Sequence, residues 1–304
     1  MFRDQSGIVP AGVTVVTVTF NSAHAIELLL QSVPVETPVI VVDNASSDAS
    51  VELAQRWPNV TVHRMARNVG FGAACNMGAR LAATEHLFFV NPDAELEIET
   101  IPVLSESASC LPGRSALNPQ FLDESGETSL RSPSRFLGRR TGARAAAPSC
   151  DQTIDVLHGA ALFLRREHFL ELGGFDEHIF LYFEDDDLSL RLLDAGFILR
   201  HIHGAVVHHK GGASTPNSPD MLRFKNYHWQ RSSAYLAHKR GVPFRALSVG
   251  GKLAYRWALS AMRRRPSDRY KYEGRMKAVY QLLREGPESF SADDRPLLTA
   301  GHHL

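Results

Sequence analysis

The stretch Val13-Thr14-Val15-Val16-Thr17-Val18-Thr19-Phe20, followed by Asn21, decides the fold. Its first seven residues are all β-branched, a type that packs well on a pleated surface and is stiff in a helix, so they read as a buried strand ending at Asn21. Downstream the pattern alternates. Residues 25–32 are helical in period, and 39–42 form a second strand running into Asp43-Asn44-Ala45-Ser46-Ser47-Asp48. Residues 49–56 turn helical again and 60–64 make a third strand. Asn68-Val69-Gly70-Phe71-Gly72 opens a helix through 83, and 86–90 is a fourth strand that ends in Asn91-Pro92-Asp93. Strands alternating with helices predict an α/β, Rossmann-like, mostly parallel sheet flanked by helices on both faces. Ligands of such sheets bind at the carboxyl ends of the strands. Thr19, Asn21, Asp43 and Asp93 all fall there.

The 304 residues are 44% hydrophobic and 22% charged, the balance of a globular protein with one large α/β domain and an appendage. The formal net charge is zero, which gives no ground for nucleic acid as a partner. Three scattered cysteines, Cys75, Cys110 and Cys150, predict a reducing compartment rather than a disulfide framework. No signal-peptide pattern opens the sequence, and no apolar run approaches the ~20 residues needed to span a bilayer, so the expected location is cytoplasmic.

Charge is unevenly spread. Residues 221–285 hold sixteen Lys/Arg against Asp268, Glu273 and Glu285, which leaves 17 bases and 30 acids elsewhere. The expected division is therefore a domain over 1–220 and a basic, mainly helical C-terminal extension over 221–304. Trp229, Tyr235, Trp257 and Tyr270 are interleaved with the bases. The extension reads either as a solvated helical face, as a peripheral patch for anionic lipid at the inner face of the membrane, or as a homo-oligomer contact. Residues 117–152 lose periodicity and read as a long surface segment, a flap over the site or a disordered stretch. Strand character returns at 155–164, interrupted by His158-Gly159-Ala160-Ala161, and again at 197–202 before Val206-Val207-His208-His209-Lys210-Gly211-Gly212. Residues 286–304 carry little pattern and are expected to fray.

Several constellations carry chemistry. Asp43 at a strand end suits a ribose hydroxyl or a base N–H, whereas Ser47 or Asp48 is explained by helix capping alone. Asn91-Pro92-Asp93 is a turn whose carboxylate points to the same edge and would suit a divalent cation on a diphosphate. The glycines of residues 68–78 lack the spacing of a dinucleotide or triphosphate loop and fit tight helix packing at least as well. Alternation sends the rings of His208 and His209 to opposite faces, so one of them at most faces the site. Finally Glu184-Asp185-Asp186-Asp187 precedes a helical pattern, Leu188, Leu192 and Ala195, that stops at Gly196. Four adjacent carboxylates read either as an acidic helix start or as a general base beside a pocket, with Asp187 and Arg191 spaced i, i+4 to pair.

In order and spacing these motifs resemble the inverting family 2 glycosyltransferases with a GT-A fold. The resemblance covers residues 13–215 and rests on Thr19-Phe20-Asn21, the Asp43–Asp48 run, Asn68-Val69-Gly70-Phe71-Gly72 with Asn76, Asn91-Pro92-Asp93, His158-Gly159-Ala160-Ala161, and Gly174-Phe175-Asp176-Glu177 through Phe183-Glu184-Asp185-Asp186-Asp187 to Arg191. Within the family the chain is most similar to rhamnosyltransferases that use dTDP-rhamnose. The resemblance implies that Asp185 is the catalytic base with Glu184 beside it. It implies that Thr19, Asn21, Asp43, Asn68, Asn76, Asn91, Gly159 and Ala160 line the nucleotide-sugar pocket. It implies that Asp93 and His208 hold Mg²⁺ or Mn²⁺. Asn91 departs from the family, many of whose members have Asp there, which implies a weaker hold on the metal. The implied partners are a nucleotide-sugar donor and a glycan or lipid-linked acceptor of surface polysaccharide synthesis. A UDP-hexose or UDP-galactofuranose donor, or a non-catalytic sugar-nucleotide-binding scaffold, are the competing readings.

Overall fold

The computed structural model describes residues 12–128, 134, 136, 149–209, 214 and 218–286. All but the first residue of the expected fraying segment 286–304, the Lys210-Gly211-Gly212 tail of the histidine motif and half of the expected flap lie outside them. The chain packs as two compact units. One comprises the described residues of Met1–Asn68, Ala74–Gly174 and Leu188–Thr215, and the other those of Val69–Ala73, Phe175–Asp187 and Pro216–Leu304.

The first unit is built on a nine-stranded sheet. Its strands are β1 (Val13–Thr19), β2 (Val39–Asp43), β3 (Val60–Arg64), β4 (His86–Val90), β5 (Ala94–Leu96), β6 (Ser115–Leu122), β7 (Gln152–Thr153), β8 (Ala161–Arg165) and β9 (Ile198–His209). They lie in the order β3-β2-β1-β4-β8-β6-β9-β5, with β7 on β9. The first four strands pair in parallel, as the alternation predicts, while β8 is antiparallel to both β4 and β6. The order reverses at β1, with β2 on one side and β4 on the other. The carboxyl ends of β1 and β4 at such a reversal are the place where open α/β sheets take ligands.

Helices α1 (Ile26–Ser32), α2 (Ser50–Ala54) and α4 (Thr100–Cys110) bury Ile26, Leu29, Ala54, Ile101 and Leu104 in one core with Val15, Val41 and Phe88. Helix α3 (Phe71–Leu81) packs so closely on the sheet that a Cβ at Gly78 would collide with Val16. Behind it, α5 (Arg166–Glu171) sets Phe169 against Phe89, with ring centroids 4.9 Å apart.

Two expectations are corrected. The surface segment expected from 117 begins instead as the buried strand β6, parallel to β9. The register slips between Pro119 and Gln120, where 203–205 bulge out of β9. Strand β9 is likewise one strand of 12 residues, not two runs.

The second unit contains α7 (Pro219–Lys239), α8 (Ala246–Met262) and α9 (Pro266–Glu285), so the basic region is helical as expected. It differs from a separate extension cut at 220, because residues 175–187 pack within it. Lys239 of α7 supplies the reason, its Nζ lying 2.5 Å from Asp176 Oδ2 and 2.6 Å from Asp187 Oδ1. The aromatics expected to dip into lipid are engaged inside this unit. Trp229 packs on Phe183 beneath Arg275, the Tyr235 hydroxyl donates to Asp176, Trp257 Nε1 donates to Glu273, and Tyr270 lies under Arg223. Among the described residues no helix is long and apolar enough to cross a membrane.

Candidate active site

In the first unit, β1 and β2 end in register with Thr19 beside Asp43. Both side chains are buried, and the Thr19 hydroxyl donates to Asp43 Oδ1 at 3.0 Å. The second carboxylate oxygen accepts the Ser46 N–H at 3.1 Å. Asp43 thus shapes the β2–α2 loop, and a carboxylate has further lone pairs for a ligand. Asn21 has φ 55 and accepts from the Ser47 N–H at 2.8 Å, while its own N–H donates to Ser46 Oγ. A left-handed conformation is cheapest for Asn among residues with a side chain, and here it stitches the two strand-end loops together. Asn68 joins the same edge by accepting from Asn44 Nδ2 at 2.8 Å. Asp48 accepts from the N–H groups of Ser50 and Ala23, while the N-cap position of α2 falls on Ala49, which makes no side-chain cap.

At the carboxyl end of β4, Asn91, Pro92 and Asp93 turn the chain into β5. Asp93 is buried, with the His209 ring nitrogen Nε2 3.4 Å from Oδ1 and the Ser214 hydroxyl donating to the same oxygen at 2.7 Å. Burial by itself would raise the Asp93 pKa. Bonding and charge from His209, with help from Ser214, outweigh it and hold the carboxyl below its usual value. The carboxamide of Asn91 lies 3.5 Å from the same His209 nitrogen.

The structure gives the paired histidines different neighbours. His208 is 43% exposed and turns to Glu97, at 3.1 Å, whereas His209 is 11% exposed and faces Asp93. One step along a strand reverses the face, so a single residue of register decides which ring enters the cluster. His158, which lay in the quoted motif but outside the expected site, also belongs there. Its ring centroid is 5.9 Å from that of His209 and 4.4 Å from that of Phe121. Nδ1 accepts the Ala160 N–H at 3.1 Å. Asn118 holds this loop through the His158 N–H and the carbonyls of His158 and Ala161, and Ala160 accepts the Asn91 N–H. Gly159 and Ala160 are therefore brought to Asn91 by backbone pairing across β4 and β8. Asn76 is placed elsewhere: it is buried in α3 against Gly174, whose missing Cβ leaves room for the carboxamide.

The second unit holds the acidic run. Helix α6 (Glu184–Asp194) starts at Glu184, so all four carboxylates occupy its first turn, where the helix dipole favours negative charge. All four residues are buried. Tyr182 and Phe183, just before the helix, have φ 66 and 69. Left-handed backbone costs such residues about 1–2 kcal/mol each and persists only where the surroundings fix it. The fixing contacts are specific. The Phe71 N–H donates to the Phe180 carbonyl at 3.0 Å, Ser232 Oγ donates to the Leu181 carbonyl at 2.8 Å, and Phe183 packs on Trp229. A Cβ at Gly70 would lie 2.5 Å from the Phe180 carbonyl, and one at Gly72 would lie 2.8 Å from Phe175 Cβ. The glycines of this loop serve close packing. Asp185 Oδ1 accepts the Asp186 N–H at 2.9 Å, and Asp187 meets Lys239. Arg191 donates to the carbonyls of Leu172 and Gly174.

Among the described residues no group of three or more His, Cys, Asp or Glu is gathered to hold an ion. Asp93 and His209 offer two converging donors. Such a pair fits a cation whose remaining ligands are phosphate oxygens and water, which is the ordinary habit of Mg²⁺.

Comparison with known proteins accords with this arrangement. The chain is 30% identical over 240 residues to an N-acetylglucosaminyl-diphospho-decaprenol L-rhamnosyltransferase of Mycobacterium tuberculosis, covering 67% of this chain and 78% of the relative. Its fold is that of S. aureus TarS 1-349 solved in complex with UDP-GlcNAc (TM-score 0.52, 15% identity, 90% of this chain and 92% of that one). It is also that of the mannosyltransferase PcManGT from Pyrobaculum calidifontis solved with GDP-Man and Mn²⁺ (TM-score 0.52, 16% identity, 89% and 86%). The sheet and its flanking helices are accordingly a GT-A fold. Residues 14–173, more than half of the chain, match the family described as Glycosyl transferase family 2, and the chain belongs to that family as a glycosyltransferase.

Proposed function

We propose that this glycosyltransferase moves rhamnose from dTDP-rhamnose to a hydroxyl of a lipid-linked glycan, with inversion at the anomeric carbon. The observation that carries the reading is the 30% identity to a rhamnosyltransferase whose name specifies an N-acetylglucosaminyl-diphospho-decaprenol acceptor. In this reading Thr19, Asn21, Asp43 and Asn68 receive the nucleoside. Asp93 and His209, the latter in place of His208, would hold Mg²⁺ or Mn²⁺. Bound there, the cation would neutralise charge on the departing diphosphate.

Asp185 is assigned as the base. The acceptor oxygen attacks the anomeric carbon as the bond to the diphosphate oxygen breaks, and the acceptor proton passes to the Asp185 carboxylate. A positioned base contributes about 10²–10⁴-fold. The buried first turn of α6, fixed by its left-handed approach, supports a carboxylate held in one position. Glu184 is its neighbour and the second assigned acid. Because attack is direct, no carboxylate has to form a covalent glycosyl intermediate.

Thermal shift with dTDP and UDP, followed by turnover of dTDP-rhamnose, tests the donor. A larger shift with dTDP and release of dTDP in the presence of acceptor are expected. A shift with UDP alone would overturn the rhamnosyl assignment and leave a UDP-sugar transferase of the same family.

A further inference from the structure

Helix α8 has two unlike faces. Leu253 and Ser260 are buried, and Gly250 lies close enough to α9 that a Cβ would be 3.4 Å from Val279. On the opposite side Leu247, Tyr255 and Met262 are 78%, 67% and 73% exposed. At 100° per residue these three fall within about 80° of one another, with Gly251 and Ala258 between them, and form a stripe of about 22 Å. Lys252, Arg256 and Arg263 line one flank of the stripe, and α8 contains no Asp or Glu. Exposed leucine, tyrosine and methionine in one row are a surface feature that asks for a partner.

We propose that this face of α8 lies flat on an anionic lipid surface. Leu247, Tyr255 and Met262 enter the acyl boundary, and Lys252, Arg256 and Arg263 meet the headgroups. Charge decides between occupants. A two-fold contact through the same face would bring together two helices that carry bases and no acids, with no opposing charge to meet them. A nucleic acid would leave the apolar stripe without a use. An anionic bilayer answers both halves of the helix.

The test uses the full chain without donor or acceptor, so it succeeds or fails independently of the rhamnosyl reading. Co-sedimentation is measured with vesicles of phosphatidylcholine alone and of phosphatidylcholine mixed with phosphatidylglycerol. Binding is expected to the mixed vesicles, weakening as salt is raised. Two triple variants, L247N with Y255N and M262N, and K252Q with R256Q and R263Q, should each lose about tenfold or more of that binding. Their urea midpoints should stay at the wild-type value, because the altered side chains are exposed. The proposal is overturned if the wild type ignores mixed vesicles, binds neutral ones equally, or if both variants bind as the wild type does. It is equally overturned if the apolar variant changes only the oligomeric state in sedimentation.

Discussion

Lys239 Nζ stands 2.6 Å from the carboxylate of Asp187, a side chain only 1% exposed in the first turn of α6, and 2.5 Å from Asp176 on its other side. One ammonium group thus serves two acids in the segment that carries Asp185. Replacing it by Met keeps the stem and deletes the charge, leaving Asp187 without this cation. Breaking a buried pair costs about 3–5 kcal/mol. Because Lys239 is itself part-exposed, about 1–3 kcal/mol is expected here. Burial would raise the Asp176 pKa, but Lys239, the His178 N–H and the Tyr235 hydroxyl depress it well below the usual carboxylate range. A depressed carboxylate stabilises above its unfolded pKa, and the contribution is lost as pH falls toward the folded value. Urea midpoints of wild type and Lys239→Met should therefore differ most at neutral pH, and the gap should begin to narrow only below about pH 4, shrinking further as pH falls. An equal gap at both pH values would show that the charge is not the cause.

Asp185→Asn keeps shape and removes the base. Turnover with donor and acceptor should fall about 10²–10⁴-fold, while the thermal shift given by dTDP stays at the wild-type size. Unchanged turnover would remove Asp185 from the chemistry. Glu184→Gln should fall less, since it is assigned as the neighbour of the base.

What the sequence shows and hides here has a physical pattern. The β-branched runs announce β1 and β2 because a strand buried on both faces needs little else, and the strand-end polar residues announce their edge. Strand β6 is hidden by Pro119, which argues against a central strand. It is accommodated by the register slip beside it. The partners of Asp93 are hidden for another reason. His209 and Ser214 reach it from more than a hundred residues away, His158 stands beside His209 from another stretch, and choosing His209 over His208 turns on one residue of register. The four acids of α6 are legible as a charged start, but the lysine that answers Asp187 lies 52 positions later in α7. Long-range pairing of this kind leaves no local trace.

The two histidines separate cleanly by experiment. His209→Ala removes the ring beside the buried Asp93, so the donor KM should rise about tenfold or more, as is typical when a partner of an acid at a metal site is lost. His208→Ala removes an exposed contact with Glu97, worth at most about 1 kcal/mol of stability, and its kinetics should match wild type. If His208→Ala proved the more damaging variant, the assignment of His209 to the diphosphate end would be wrong.

Two helical glycines should respond to alanine with opposite signs. In α9, a Cβ at Gly274 would run into the backbone carbonyl of Arg223 in α7, an atom that cannot swing aside. Gly274→Ala should therefore cost about 1–3 kcal/mol as the two helices are pushed apart. In α8, Gly251 is exposed and a Cβ there would meet nothing within 4 Å. Gly251→Ala should stabilise by about 0.5–1 kcal/mol, because alanine loses less backbone freedom on entering a helix. Urea midpoints of the two variants should fall on either side of wild type. Since α7, α8 and α9 belong to one unit, the close approach at Gly274 limits the whole packing of the basic region, whereas Gly251 reports helix propensity alone. A neutral Gly274→Ala would mean that α9 can withdraw from α7 without loss, and the close contact at Arg223 would then have no part in holding the unit together.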